Sequence, residues 1–413
     1  MERSVLHCDL NNFFASVACL DHPEIAEAPM VVGGSASDRH GIVLAKNEAA
    51  KKLGIYTGET LSEAKRKYHA LAVVPPNFNR YMYYSKVAKE VYALYTDNVE
   101  PFGLDECWVD VSKSKSLFGQ DTLIAKEISG RIKKETGLTL SIGVSFNKVF
   151  SKIGSDIKKP DAITVIDSIH YKDILWPMPT RTIIGVGRST EARLKSLGIY
   201  TLGDLAKSNP SAISAKLGKT GVQLWRYANG DDSSTVLHKD FEVLPKSVGR
   251  SITCKKDLLN AEEIFKTFLF LAEDISTELR VKGLVAGGIC IHLRTADLEV
   301  QEIQCTLEKP SRTAYTLACA GIELFMKEYR AEKNLRSVGI RTINLADESV
   351  QYQLNIFDDY MKEINVETLE RKMDILRGKY GKTVIKRACM MKNADIKVSD
   401  SPFKACFNHI VDL

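Results

Sequence analysis

The spacing of apolar and polar positions predicts alternating strands and helices in the first 166 residues. An apolar run over residues 4–10 predicts a short buried strand that ends at Asp9. Apolar residues at helical spacing predict a helix over residues 80–95. Two strand signals with a helix between them follow, at 106–111, 139–144 and 123–136. This β-α-β alternation favours a sheet covered by helices on one side.

Two regions contain only short elements. Residues 11–76 show turns and short helices, among them a basic amphipathic helix over 46–53 that Gly54 stops. Residues 167–232 read as short helices broken by glycine and proline, and a linker is predicted to begin near Asp231.

The last regular region has the order β-α-β-β-α-β. Its predicted elements are strand 247–254, helix 261–281, strands 286–295 and 299–307, helix 312–329 and strand 336–344. That order is the split βαβ arrangement of a ferredoxin-like domain. A mixed tail follows, with a helical pattern over residues 366–380.

Composition agrees with a folded protein of several domains. The chain has 413 residues, of which 26% are charged and 44% hydrophobic, and this length suggests roughly two to four domains. A net charge of +5 permits a polyanionic partner but does not demonstrate one. The amino terminus lacks a secretory apolar region, and the sequence holds no run long enough to span a membrane. Nine cysteines without a C-x-x-C pair argue against a disulfide framework or structural zinc, so a reduced, cytoplasmic protein is expected.

Carboxylates at predicted strand edges are the first candidate chemistry. Asp9 ends one strand, and Asp105 and Glu106 follow Gly103. A turn at Gly103 would allow the Asp105 and Glu106 side chains to reach the same site. An isolated Asp-Glu pair commonly does no more than cap a turn. Three converging carboxylates would suit two Mg²⁺ ions, which prefer oxygen ligands and can activate an attacking oxygen and stabilise a leaving one.

Three motifs resemble those of the Y-family, or translesion, DNA polymerases, which include the bacterial DNA polymerase IV and damage-induced mutagenesis branches. The three segments are LHCDLNNFFASV at 6–17, LDECWVDV at 104–111 and SIGVSFNK at 141–148, the last followed by Lys152, Ser155-Asp156 and Lys159-Pro160. Their order and spacing match the family over nearly the whole chain. One departure is Asn11, where the family often has a second aspartate.

The resemblance implies an α+β, right-hand polymerase: a palm of mixed sheet and helices, small fingers, a helical thumb and a ferredoxin-like little finger. The implied boundaries are palm 1–10 and 77–166, fingers 11–76, thumb 167–232, linker 233–245, little finger 246–346 and tail 347–413.

It also implies roles for residues around the carboxylates. Asp9, Asp105 and Glu106 would be the catalytic carboxylates and, with Leu10, would hold two Mg²⁺ ions, for which Mn²⁺ could substitute.

The nucleotide would meet two aromatic residues and two lysines. Phe14 falls on the steric-gate position that excludes a ribose 2′-OH, and its neighbour Phe13 fits a core role better. Lys152 matches a triphosphate-binding lysine, and Lys51 stands where relatives carry an arginine, without that residue's bidentate fork.

DNA would be held by the thumb and the little finger. Residues 183–199 resemble a helix-hairpin-helix, and a second glycine turn lies at 217–221. Glycines let backbone N–H groups approach a phosphate, and arginines on the little-finger strands would contact the duplex backbone. The predicted DNA contacts are Gly185, Gly187, Gly218, Gly221, Arg250, Arg294, Arg336 and Arg341.

Residues 353–357 resemble the bacterial sliding-clamp-binding pentapeptide. Gln353, Leu354, Ile356 and Phe357 would be the contacts, since a glutamine and apolar anchors on an extended segment can fill a pocket on a partner.

The function predicted from these residues is template-directed, low-fidelity DNA synthesis past damaged bases. The predicted partners are primer-template DNA, dNTP and a sliding clamp, with recombinase or other accessory proteins as further candidates. The predicted location is the nucleoid. One alternative is a catalytically silent, clamp-bound accessory protein, against which the three carboxylates argue. Another is a nucleotide cyclase, for which the helix-hairpin-helix and the clamp peptide would have no purpose.

Overall fold

The computed structural model describes residues 3–34, 41–330, 333–349 and 360–390, with side chains from residue 364 in the last range. The described chain forms two compact units that divide between residues 242 and 243. Among these residues there is no helix with the length and apolar character needed to cross a bilayer.

The first unit contains eight strands and eleven α-helices among its described residues. Its strands are β1 (Val5–Leu10), β2 (Met30–Gly33), β3 (Val43–Lys46), β4 (Ala72–Val74), β5 (Val99–Phe102), β6 (Glu106–Asp110), β7 (Leu140–Ser145) and β8 (Ile163–Ile166). Its helices are α1 (Phe13–Asp21), α2 (Glu48–Lys52), α3 (Leu61–Lys67), α4 (Phe78–Ala93), α5 (Lys115–Phe118), α6 (Asp121–Thr136), α7 (Lys148–Ile157), α8 (Tyr171–Leu175), α9 (Arg188–Lys195), α10 (Leu202–Lys207) and α11 (Pro210–Ala228).

The largest sheet of this unit has the order β5-β6-β1-β7-β8. The apolar run predicted at residues 4–10 is its central strand β1, which is buried at every position. Alternate residues of β1, Leu6, Cys8 and Leu10, enter a core shared with α4 and α6. This is the helix-covered face expected from the sequence.

The opposite face of the same sheet is covered too, so the prediction of helices on one side only was wrong. Helix α7 lies against β1 and β7, and His7 on β1 contacts Ser155 of that helix. The approach is close because β7 presents Gly143: a Cβ there would lie 1.8 Å from the carbonyl oxygen of Ser151. Helix α7 begins three residues after the end of β7, and the spacing of apolar residues does not predict that it folds back onto the sheet.

A smaller sheet of order β3-β2-β4 carries α2 and α3. Asn47 caps α2, since its side-chain oxygen accepts from the Ala50 N–H at 3.0 Å and its amide donates to the Ala28 carbonyl at 2.7 Å. Thr60 and Glu63 form a capping box at the start of α3. These caps explain why two short helices hold their ends at these residues.

Helices α8 to α11 pack around an apolar core that includes Leu194, Leu205 and Leu224 and is shared with α7. Helix α11 is interrupted at Gly218, whose φ of 62° no continuous helix adopts. The region of short broken helices predicted from glycine and proline is therefore confirmed.

The second unit has the predicted β-α-β-β-α-β order. Its elements are β9 (Val248–Leu258), α12 (Ala261–Val281), β10 (Leu284–Thr295), β11 (Val300–Ser311), α13 (Ala314–Glu328), β12 (Leu335–Asp347) and, beyond them, α14 (Tyr360–Tyr380). The antiparallel sheet runs β11-β10-β12-β9, so a strand of each βαβ unit separates the two strands of the other. The apolar face of α12 and α13 packs on one side of this sheet.

The tail helix α14 contains the helical pattern predicted at 366–380 and packs on the second unit. Arg280 of α12 pairs with Glu370 and Asp374 of α14 through Nη1–Oε2 and Nε–Oδ2 distances of 2.7 Å each. Because the Arg280 and Glu370 side chains are almost fully buried, each charge depends on the other for solvation.

Candidate active site

The antiparallel register of β1 and β6 places the first two carboxylates side by side. Asp9 pairs with Glu106, and His7 pairs with Trp108. Side chains alternate between the faces of a strand, so these four residues share the face that α7 covers. Both carboxylates lie on the face opposite the apolar core, where lysine and histidine side chains contact them and offset the cost of burial.

Asp105 reaches the same place from the turn that joins β5 to β6. Gly103 in that turn has a φ of 87°, a value that glycine adopts at no steric cost. The backbone N–H of Leu10 donates to the carbonyl oxygen of Asp105 at 3.0 Å and fixes the turn against the end of β1. The turn expected from Gly103 is confirmed. The Leu10 side chain itself is buried in the core, so only its backbone could contribute to a metal site.

Two lysines approach the carboxylates from α7 and the segment after it. Lys152 Nζ lies 2.5 Å from Glu106 Oε2, and Lys159 Nζ lies 2.5 Å from Asp9 Oδ2 and 2.7 Å from Asp156 Oδ1. Lys152 is the lysine predicted for the triphosphate. Lys159 lies beside Pro160 in the third motif. The sequence predicts no role for it beyond membership of that motif.

The pKa values of the three carboxyl groups are shifted in different directions by burial and by neighbouring charges. Burial, reinforced by the neighbouring Glu106 charge, raises the pKa of Asp9 to about 6 and that of Asp105 to about 7. Burial also acts on Glu106, but the contacts from His7 and Lys152 outweigh it and lower the pKa of Glu106 to about 2. Three acids this close cannot all stay ionised without cations.

The donor set fits magnesium. Three carboxylates supply the hard oxygen ligands that Mg²⁺ prefers, and burial together with the neighbouring Glu106 charge makes the ionised forms of Asp9 and Asp105 costly without a nearby cation. Among the described residues no group of three acidic, histidine or cysteine side chains lies close enough together to hold a metal ion, and lysine ammonium groups contact Asp9 and Glu106.

The predicted nucleotide residues divide by exposure. Phe13 is buried in the sheet core, as its alternative core role predicts, whereas Phe14 is half-buried and stacks on Tyr81 with ring centroids 4.1 Å apart. Lys51 is half-exposed, and its Nζ lies 3.4 Å from Glu48 Oε1. The amide of Asn12, two residues before Phe14, donates to the same Glu48 oxygen at 2.8 Å and joins α2 to the start of α1.

The four glycines predicted as thumb contacts lie in two kinds of environment. Gly185 and Gly187 are exposed just before α9, Gly185 with a φ of 88°, and Gly218 is exposed at the break in α11. Gly221 is buried instead: a Cβ there would lie 2.6 Å from side-chain atoms of Ile213 and Leu217. Packing within α11 accounts for Gly221, so the structure does not support it as a phosphate contact.

The little-finger arginines lie on both faces of their sheet. Arg294 and Arg341 occupy strand positions that alternate with core residues such as Ile340. Arg250 is paired in register with Ile340 and therefore lies on the helix-covered face, where its Nη2 meets Glu278 Oε2 of α12 at 2.5 Å. The prediction of Arg250 as a DNA contact is not supported. Arg336 is half-buried on β12.

The clamp peptide, with Gln353, Leu354, Ile356 and Phe357, lies outside the described residues. It connects the end of β12 to α14 along the chain.

Family profiles match three parts of the sequence. The profile of the impB/mucB/samB family matches residues 8–156, that of the impB/mucB/samB family C-terminal domain matches 245–356, and that of the DNA polymerase-iota thumb domain matches 182–232. These matches cover the carboxylate site, the helix-hairpin-helix region and the part of the second unit from β9 to β12.

Full-length relatives match as well. The chain is 43% identical over 393 residues to DNA polymerase IV of Acetivibrio thermocellus, covering 95% of this chain and 98% of the relative. It is 33% identical over 408 residues to DNA polymerase IV 1 of Bacillus subtilis, covering 98% and 97%. A solved Y-family DNA polymerase chimera superposes with a TM-score of 0.73 at 24% identity, covering 83% of this chain and 99% of the chimera, which speaks for the fold.

Proposed function

Because this chain belongs to the Y family of DNA polymerases and is a translesion DNA polymerase, we propose that its nucleotidyl transfer takes place at Asp9, Asp105 and Glu106. The family implies dependence on a divalent metal, with primer-template DNA and dNTP as substrates. One observation carries the proposal: Asp9 and Glu106 face each other across β1 and β6, with Asp105 in the adjoining turn and two lysines on the same carboxylates.

The three carboxylates would hold two Mg²⁺ ions, with Mn²⁺ as a substitute. When bound, such ions supply activation of the primer 3′-oxygen and charge stabilisation at the departing pyrophosphate. Lys152 and Lys159 bring positive charge close to the carboxylates. If metal ions displaced the two lysines from Glu106 and Asp9, both ammonium groups would be free to bind the triphosphate. The half-buried Phe14 ring would lie beside the sugar.

A catalytically silent accessory role is not favoured. Relatives that match nearly the whole chain carry the name DNA polymerase IV, and this chain retains all three carboxylates. Primer extension by the purified protein on an undamaged and a lesion-containing template, with and without Mg²⁺, tests the proposal directly. Absence of metal-dependent incorporation would refute it.

Phe14→Ala is expected to admit ribonucleotides. Loss of the ring removes the group that would meet a ribose 2′-OH, and preference for dNTP over rNTP should fall by about tenfold or more, the scale of one small steric contact. Single-nucleotide incorporation with dNTP and rNTP measures the ratio of kcat/KM values. Phe118→Ala is the control, since Phe118 packs on Tyr95 and not on Tyr81. An unchanged ratio in Phe14→Ala would remove the steric-gate assignment.

Phe357→Ala is expected to abolish stimulation by the sliding clamp and to leave basal synthesis intact, because an apolar anchor of the peptide is lost. A substitution is preferable to truncation before Gln353, which would also remove α14 and its ion pairs with Arg280. Asn355→Ala is the matched control in the unspecified position of the same peptide. Extension with and without clamp is measured, and equal stimulation of both variants would contradict the proposal.

The location follows from the substrate. A polymerase that copies chromosomal DNA acts at the nucleoid, which is the location we propose. A recombinase or other accessory protein is a further candidate partner. Arg294, Arg336 and Arg341 are the little-finger residues that we retain as candidate backbone contacts.

A further inference from the structure

A fully buried imidazole, His7, lies two residues before Asp9 and has no role in the chemistry above. Its side chain is 0% exposed, and its ring meets the Trp108 ring edge-on with centroids 5.3 Å apart. Buried polar atoms in folded proteins nearly always have partners, so both ring nitrogens of His7 call for an explanation.

The two nitrogens face different groups. Nδ1 lies 2.8 Å from the hydroxyl oxygen of Ser155. Nε2 has no hydrogen bond of good geometry but lies 3.3 Å from Glu106 Oε2. A neutral imidazole carries one N–H, on one of these two nitrogens, and its other nitrogen accepts a hydrogen bond.

Only one placement of that N–H suits both neighbours. A lone pair on Nε2 would face the Glu106 carboxylate and repel it. The Ser155 hydroxyl can donate to Nδ1 in place of its alternative acceptor, the Lys152 carbonyl 2.8 Å away. The hydrogen is therefore on Nε2, directed at Glu106, and Ser155 holds the ring in that tautomer.

Lys152 competes for the same carboxylate oxygen. Its Nζ lies 2.5 Å from Glu106 Oε2. The Lys152 side chain is 17% exposed and long enough to turn to a triphosphate, whereas the His7 side chain is 0% exposed between β1, β7 and α7 and has no room to turn away. After Lys152 departs, His7 is the neighbour that still faces Oε2.

We propose that His7 is a positioning residue for Glu106: it holds Oε2 while Lys152 turns to the nucleotide, and so leaves the other carboxylate oxygen directed at the metal. This inference rests on the proposed metal role of Glu106. Partners of ligating carboxylates orient them, and their loss commonly costs 10–100-fold in metal affinity.

Two amide variants separate the two nitrogens. His7→Gln places its amide nitrogen near the Nε2 position and can donate to Glu106, whereas His7→Asn places it near the Nδ1 position and reaches only Ser155. Both keep a polar side chain in the same buried site. A merely structural role would be disturbed in both variants alike.

Mn²⁺ binding is measured by electron paramagnetic resonance in the complex of full-length protein, template, dideoxy-terminated primer and dNTP, in which no chemistry occurs. We expect His7→Asn to bind Mn²⁺ about 10–100-fold more weakly than wild type and His7→Gln to stay within about threefold. Equal affinities in the two variants would overturn the proposal. The Mg²⁺ concentration at half-maximal kcat should rise in His7→Asn alone.

A measurement on the wild-type protein covers the case in which a variant does not fold. Imidazole ¹⁵N shifts of the protein labelled at its 8 histidines report the tautomer of each ring. The Nε2–H form of His7 supports the proposal, and the Nδ1–H form overturns it. If wild type instead shows no metal-dependent synthesis, the proposed function fails while the tautomer result still stands.

Discussion

Asp105→Asn is expected to reduce kcat for nucleotide incorporation by about a thousandfold or more. The substitution keeps the shape of the side chain but removes one of the three carboxyl groups that would hold the metal ions. Loss of several kcal/mol of charge stabilisation in the transition state corresponds to a factor of this size. Single-turnover incorporation at saturating dNTP measures the effect.

DNA binding supplies the contrast for this variant. Asp105 sits in a turn beside β1, and none of the candidate DNA contacts depends on it, so primer-template affinity by fluorescence anisotropy should change by no more than about twofold. Asp97→Asn is the control, since Asp97 is an exposed aspartate paired with Lys239. Asp105→Asn with incorporation close to that of Asp97→Asn would refute the metal role of Asp105.

Gly143→Ala is expected to destabilise the first unit more than any other single methyl group added to its sheet. The new Cβ would lie 1.8 Å from the Ser151 carbonyl oxygen and 2.5 Å from the Ser155 nitrogen, both in the backbone of α7. Backbone atoms cannot rotate aside, so the helix must shift, at a cost of about 3 kcal/mol or more. Thermal unfolding should begin roughly 6–12 °C lower.

The shift should also impair the site, because α7 carries Lys152 and Ser155. Gly130→Ala is the matched control: Gly130 lies within helix α6, and a Cβ there would meet nothing within 4 Å. Alanine in a helix interior should stabilise by about 0.5–1 kcal/mol. If Gly143→Ala melted at the temperature of Gly130→Ala, the close packing of α7 on β7 would be disproved.

The packing of α7 on β7 also shows a limit of prediction from sequence. The motif that contains Gly143 resembles a family motif, but nothing local in the sequence explains why this residue is glycine. The reason is a close contact between the backbones of β7 and α7, which only the tertiary structure shows.

Sequence alone determined the parts of this protein that depend on neighbouring positions along the chain. Apolar spacing predicted β1, the long helices and the β-α-β-β-α-β order, and Gly103 predicted the turn at Asp105. These features are set by backbone preference and by the period of side chains along one element, which are local properties. The metal-binding role of Asp9, Asp105 and Glu106 is different, because it comes from the resemblance of their motifs to a known family and stays a prediction.

Tertiary structure decided everything that depends on strand register and on helix placement across long separations. Whether an arginine faces helices or the open side of a sheet depends on its partner strand, and Arg250 lies on the covered face because it pairs with Ile340. Lys159 meets Asp9 across 150 residues of chain, and His7 meets Ser155 across 148. Such contacts arise from the docking of α7 on the sheet, which no local pattern encodes.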